Sequence, residues 1–213
     1  MIKKILLVAF VLAIFNGCTT ITTKSEFNKT ALSWYIKITD SITSKELDKA
    51  DEYYLSMRSE HTKSKLLKTT IMILAHAHMD AEEYLMANYY FTEYNKRFAV
   101  GERREYAEFM KLKAAFLSIK DTNKDQKLMM DTITNANKFL YTYQYSKYSP
   151  LVNTIITRLK MSQILLNENV ASLYDRIGKK EAAKKYRAKN NSSPIKVSDI
   201  SKPDVNILAS IMK

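Results

Sequence analysis

Four residues have side chains that do chemistry near neutral pH, one cysteine, Cys18, and three histidines, His61, His76 and His78. His76 and His78 are two apart, and on a helix such residues face different directions, whereas a shared metal needs ligands three or four apart. His61 lies far from both in the sequence, and no second cysteine is present to complete a metal site. There is no G-x-S-x-G. With Gly17 ahead of the cut argued below, two of the three glycines remain to build a phosphate-cradling loop. The carboxylates Asp51-Glu52 and Glu82-Glu83 are adjacent pairs that diverge on a helix, and they read as solvated faces. No catalytic residue, metal or cofactor is expected, and an enzyme is not indicated.

Cys18 is different because of what precedes it. Met1-Ile2-Lys3-Lys4 is a short basic start, and Ile5 to Phe15 is an apolar run. It is too short to cross a bilayer as a helix, which takes ~20 residues, but suits the core of a signal peptide. Gly17 lets a peptidase approach, and a thiol can carry a thioether-linked diacylglycerol. Residues 1–17 are therefore expected to be a lipoprotein signal peptide and Cys18 the lipidation site, which anchors the chain to membrane lipid. Phe15 stands where Leu is commonest and Asn16 where a small residue is usual, and the alternative is an ordinary cleaved signal. Thr19 follows the anchor; under the sorting rule of enteric lipoproteins, in which Asp there retains the inner membrane, this chain would go to the outer membrane.

The elements that position everything else are helical. Three Gly and three Pro in 213 residues are too few for the turns of a sandwich or barrel. At 46% hydrophobic and 26% charged the composition is that of a folded chain. The net charge of +12 is spread through segments that mix Lys and Arg with Glu, as in KRFAVGERRE. Nothing resembles a basic arm, a zinc finger or an RNP motif, so no nucleic acid is expected.

After a Thr-rich tether over residues 18–27 the pattern repeats. Trp34, Ala50, Tyr54 and Met57 recur as Ile71, Ala87, Phe91 and Tyr94, offset by 37 residues throughout. A bulky residue, a small one sixteen later, an aromatic four beyond and another residue three further is the spacing of tetratricopeptide repeats. Ala on the second helix admits the bulk of the first. Leu74, Ala75 and His78 fill the consensus positions between, which makes His78 a core residue. A third pair is stretched: Tyr106, Phe109, Met110 and Leu117 mark one helix, Met129, Ile133, Ala136 and Leu140 the next, with the polar loop Asp121 to Gln126 between. After Pro150 the periodicity from Val152 to Ile177 predicts a long helix ended by Gly178, and Ala182 and Tyr186 restart a second one. The expectation is an all-α, tetratricopeptide-like helical-repeat solenoid of about four helix pairs over residues 28–189. A C-terminal tail follows over 190–213, with a short terminal helix near Asp204 to Met212.

Aromatic residues are dense, with fourteen Tyr against one Trp, and cluster in NYYFTEY (Asn88 to Tyr94) and YTYQYSKY (Tyr141 to Tyr148). Tyr offers a rigid apolar face with a polar tip, which suits a peptide groove. The first helix of each pair lines the inner face of such an array. The repeat register puts Leu32, Tyr35 and Thr39, then Thr69, Met72 and His76, on that face, with Lys65 and Lys68 beside them.

A lipoprotein signal, a Thr-rich tether and degenerate repeat pairs together resemble the BamD family, also called ComL or YfiO, of outer-membrane β-barrel assembly lipoproteins. The likeness runs from Thr30 to Tyr186. It rests on ANYYFTEYNKRF (Ala87 to Phe98), EYAEFMKLKA (Glu105 to Ala114), the inserted loop and ASLYDRIGKKEAAKKYR (Ala171 to Arg187). The resemblance implies a non-catalytic, periplasm-facing scaffold in the outer membrane. Its N-terminal repeats would receive unfolded outer-membrane protein precursors, and its C-terminal repeats would dock on the barrel subunit BamA. By position, Tyr35, Met72 and Tyr90 would be peptide-binding, and Tyr174, Arg176 and Arg187 partner-docking. The family's fuller fifth repeat is missing or reduced to the tail, and Phe98-Ala99 and Gln144 stand where its repeats usually close with proline. Two other readings of the residues stay open: another helical-repeat scaffold such as a pilotin or secretion-system component, and a lipoprotein acting on or binding peptidoglycan.

Overall fold

The computed structural model describes residues 27–200. The signal segment, Cys18, most of the tether and the terminal helix expected near Asp204 to Met212 lie outside the described residues. The chain divides into two compact units, Met1–Thr30 and Ala31–Lys213. Every helix below belongs to the second unit.

Eight α-helices follow one another, and no strand occurs among the described residues. They are α1 (Ala31–Thr43), α2 (Leu47–Glu60), α3 (Leu66–Asp80), α4 (Tyr84–Arg97), α5 (Glu102–Ser118), α6 (Gln126–Thr142), α7 (Ser149–Arg176) and α8 (Lys180–Ala188). A single 3-10 turn, Val197–Asp199, lies against α7. Each odd-numbered helix packs on its successor as a hairpin. First helices also meet across pairs, α1 against α3 and α5 against α7. The fold is the all-helical, tetratricopeptide-like repeat expected, with four pairs.

The register is carried by small residues at the crossings. Ala50 and Ala87 have no exposed surface, and Trp34, Tyr54, Met57, Ile71, Phe91 and Tyr94 are buried around them. The missing side-chain volume at each Ala lets the paired helix approach. The turns repeat as faithfully as the cores. Lys45 and Glu82, both at left-handed φ near 60°, end α1 and α3, and the next amide reaches back to Ser41 O and to His78 O, each at 2.8 Å. This is the Schellman stop, in which a left-handed residue lets carbonyls of the last turn find donors.

The same stop reappears after α7. Gly178 has φ 75°, and Lys179 N donates to Tyr174 O at 2.9 Å. It locates the crossing Ala of the fourth pair, five residues past the stop, at Ala183, which is fully buried. The sequence pattern had pointed to Ala182 and Tyr186 instead. Counting back sixteen from Ala183 and forward four and three gives Asn167, Arg187 and Asn190. The fourth pair thus keeps the repeat geometry with polar side chains where the first pair places Trp34, Tyr54 and Met57 and the second Ile71, Phe91 and Tyr94. Asn167 Nδ2 donates to Asn190 Oδ1 at 2.8 Å, and Asn190 Nδ2 to Ile164 O at 3.2 Å. Polar side chains are usual at the outer face of a terminal repeat in such an array.

Candidate functional site

The residues expected to receive a peptide do not sit together. Tyr35 and Met72 are half-buried with part of each side chain at the surface. Tyr90 is 2% exposed, and it stands inside the second pair, not on a face. Its ring stacks on His78 with centroids 5.3 Å apart and meets Tyr54 edge-on at 5.5 Å. Its hydroxyl donates to Asp51 Oδ1 at 2.5 Å. Burial and then the Asp51 carboxylate push the phenol pKa far up, so the proton stays on. A peptide lying over this region would not touch the Tyr90 ring.

Asp51 departs from the solvated position expected of it, while Glu83 stays exposed as expected, and both meet one histidine. His78 Nδ1 lies 2.6 Å from Glu83 Oε2, and Nε2 lies 3.0 Å from Asp51 Oδ1. One imidazole therefore joins α2, α3 and the start of α4. Burial lowers the His78 pKa, but the hydrogen bonds and charges of Asp51 and Glu83 outweigh it, and the net direction is upward. With both ring nitrogens engaged, His78 has none left for a metal or a substrate proton.

A groove of about 470 Å³ opens where α3, the start of α5 and the loop before α7 meet. Met72, Tyr106 and Tyr148 line it, Tyr145 stands at its edge, and Arg103 and Lys147 supply positive charge. Glu102 and Glu105 bound it as well. Its aromatic walls are held from behind. Tyr148 stacks on Phe109 at 4.6 Å with planes 7° apart. The Tyr106 hydroxyl lies 3.0 Å from His76 Nε2, and burial lowers the His76 pKa, which favours the neutral ring. Ser146 Oγ donates to Glu105 at 2.5 Å and pins the loop to α5. Tyr145 is fully exposed. The geometry provides ordered apolar walls, one free aromatic ring and cations at the edge, which is what an extended segment with an aromatic side chain and a carboxylate requires.

Of the residues named from the register, Met72 lines this groove and His76 braces it, while Tyr35 and Lys65 lie elsewhere. The contributors Tyr145, Lys147 and Tyr148 fall in YTYQYSKY, whose aromatic density was visible. That the stretch is a loop folded back onto α5 was not.

At the other end, Tyr174 is half-buried and stacks on Tyr186 with centroids 5.5 Å apart. Arg176 is exposed in the last turn of α7. Arg187 occupies the repeat position of Tyr54 and Phe91, and its guanidinium reaches Glu168 Oε1 at 3.0 Å and Asp175 Oδ2 at 2.8 Å. It fastens α8 to α7, and a partner carboxylate would compete with two already in place. No helix among the described residues is long and apolar enough to cross a membrane.

Stacked helix pairs with small residues at their crossings define a helical-repeat protein. The sequence matches the family described as YfiO, outer membrane lipoprotein, over residues 28–188. It is also similar to the outer membrane protein assembly factor BamD of Helicobacter pylori, 36% identical over 163 residues that cover 76% of this chain and 74% of that protein. The chain belongs to the YfiO family of outer membrane lipoproteins.

Proposed function

We propose that this chain is a non-catalytic, lipid-anchored scaffold for outer-membrane β-barrel assembly, which receives unfolded barrel precursors and docks on a BamA-type subunit. The observation that carries the reading is the groove at Met72, Tyr106 and Tyr148 with Arg103 and Lys147 at its edge, in a member of a family whose H. pylori relative is an assembly factor. A precursor segment would lay an aromatic side chain against Tyr106 and Tyr148 and bring a carboxylate to the cations. Each contact is modest, so release stays possible, as hand-over requires. Tyr35 and Met72 extend the receiving surface, and Tyr90 supports it from within the second pair. Arg176 and the exposed side of Tyr174 offer the docking end.

Acylation of Cys18 would confine the repeats to the periplasmic side of the outer membrane. Capture and hand-over would then occur at raised effective concentration, without new contacts.

Affinity purification from detergent-solubilised membranes tests the reading. Recovery of a BamA-type subunit is the expected result. Recovery of secretion-system subunits without it would replace this reading by the other scaffold class.

A further inference from the structure

The fourth pair carries the largest net positive charge of the four. Basic and acidic residues number four and six over residues 31–60, five and four over 61–97, nine and six over 98–148, and nine and three over 149–189. The excess is concentrated further by pairing. Arg187 holds both Glu168 and Asp175, which leaves Glu181 as the one carboxylate in 149–189 not engaged by Arg187. Near it in the chain stand Lys179, Lys180, Lys184, Lys185 and Lys189, all exposed. None of the five forms an ion pair among the described residues; Lys189 lies over the Tyr186 ring at 4.0 Å. Shortly before these cations in the chain, at the end of α7, Leu173 and Ile177 stand one turn apart and are 48% and 55% exposed.

Clustered like charges repel one another, and exposed aliphatic surface beside them adds a hydration cost. A partner that relieves both presents dense negative charge over an apolar layer. We infer that α8, with Leu173 and Ile177 of α7, binds the anionic headgroups of a lipid bilayer; Arg176 and Tyr174, given above to docking, are not part of this surface. The lysines lie on the phosphates, and Leu173 and Ile177 enter the boundary between headgroups and acyl chains. Membership in a family of outer membrane lipoproteins brings such a surface within reach. Contact through the fourth pair gives the protein a second membrane attachment, remote in sequence from its N-terminus, which orients the repeats and does not merely tether them.

Residues 19–213 keep the whole compact unit from Ala31 and lack both Cys18 and the apolar run. They are sedimented with vesicles of phosphatidylcholine alone and of equal parts phosphatidylcholine and phosphatidylglycerol. Partitioning onto the mixed vesicles alone is expected, weakening as salt is raised. Lys180→Gln/Lys184→Gln/Lys185→Gln should lower the partition coefficient on the order of 100-fold, and Leu173→Ser/Ile177→Ser by roughly 10-fold. A triple in the first repeat pair and the loop after it, Lys37→Gln/Lys49→Gln/Lys63→Gln, should leave it unchanged, with circular dichroism confirming that every variant is folded. Equal partitioning onto both vesicles, or a lysine triple that binds like its parent, overturns the inference. So does a parent that ignores vesicles while the triple loses co-purifying subunits, which would assign the face to an acidic protein.

Discussion

His78 and Asp51 are joined across the first two repeats, Nε2 to Oδ1 at 3.0 Å, and Tyr90 closes on the same carboxylate oxygen at 2.5 Å. Glu83 takes the other ring nitrogen, so the protonated imidazole is shared between two acids. Its raised pKa means that the stability it contributes is fully present below the unfolded value of ~6.5 and is lost as pH rises through the folded value. His78→Gln should cost about 1–3 kcal/mol at pH 6 by removing the cation that Asp51 and Glu83 share, which leaves Asp51 with the Tyr90 hydroxyl as its partner. Urea midpoints across pH 6 to 9 would check it: the difference between the two proteins should narrow upward, and a constant gap would mean that His78 is neutral.

Ala87 is fully buried where α4 crosses α3. Ala87→Leu would force the two helices apart, with a cost of about 1–3 kcal/mol or more. Ala182→Leu, at a half-buried position of α8, should cost less. Denaturant midpoints of the pair would show whether Ala183, not Ala182, holds the crossing place in the fourth repeat.

Tyr145 is free while Tyr106 is braced by His76, so the two should behave differently. Tyr145→Ala should weaken binding of a labelled C-terminal peptide from an outer-membrane barrel by roughly 10-fold with unchanged melting temperature. Tyr106→Ala should lower both. Anisotropy titrations beside thermal melts separate these outcomes, and unchanged affinity in both variants would remove the groove from the receiving surface.

Arg187→Ala breaks both links from α8 to α7. Hydrogen exchange should quicken across Lys180–Ala188 while α1 to α4 keep their protection, because a repeat array transmits a local loss mainly to its neighbour.

Cys18→Ala tests the anchor. Loss of acylation by mass spectrometry is expected, together with release of most of the protein from the membrane fraction in high salt, where the lysines of α8 are screened. Retention in that wash would refute the lipid-anchor assignment.

Much of the fold was legible in residue types. Scarce Gly and Pro, and Ala50 and Ala87 sixteen residues after Trp34 and Ile71, gave helices, pairs and register, because close helix crossings admit few residue sizes. The fourth pair hid its repeat, since Asn167, Arg187 and Asn190 fill positions that a search for apolar residues passes over. Asp51 looked solvated because two adjacent carboxylates on a helix usually are, and only a histidine delivered from another helix turns it inward; Glu83 stays exposed while it reaches the same ring.

Periodicity and composition by themselves determined that this chain is a helical repeat with one lipid-bearing candidate, Cys18, since those depend on local spacing along the chain. Which tyrosines face outward was decided by tertiary packing. Tyr90 and Tyr145 are alike in type and in aromatic surroundings, yet one is locked between His78, Tyr54 and Asp51 and the other is bare, because burial depends on which helix arrives from elsewhere in the fold.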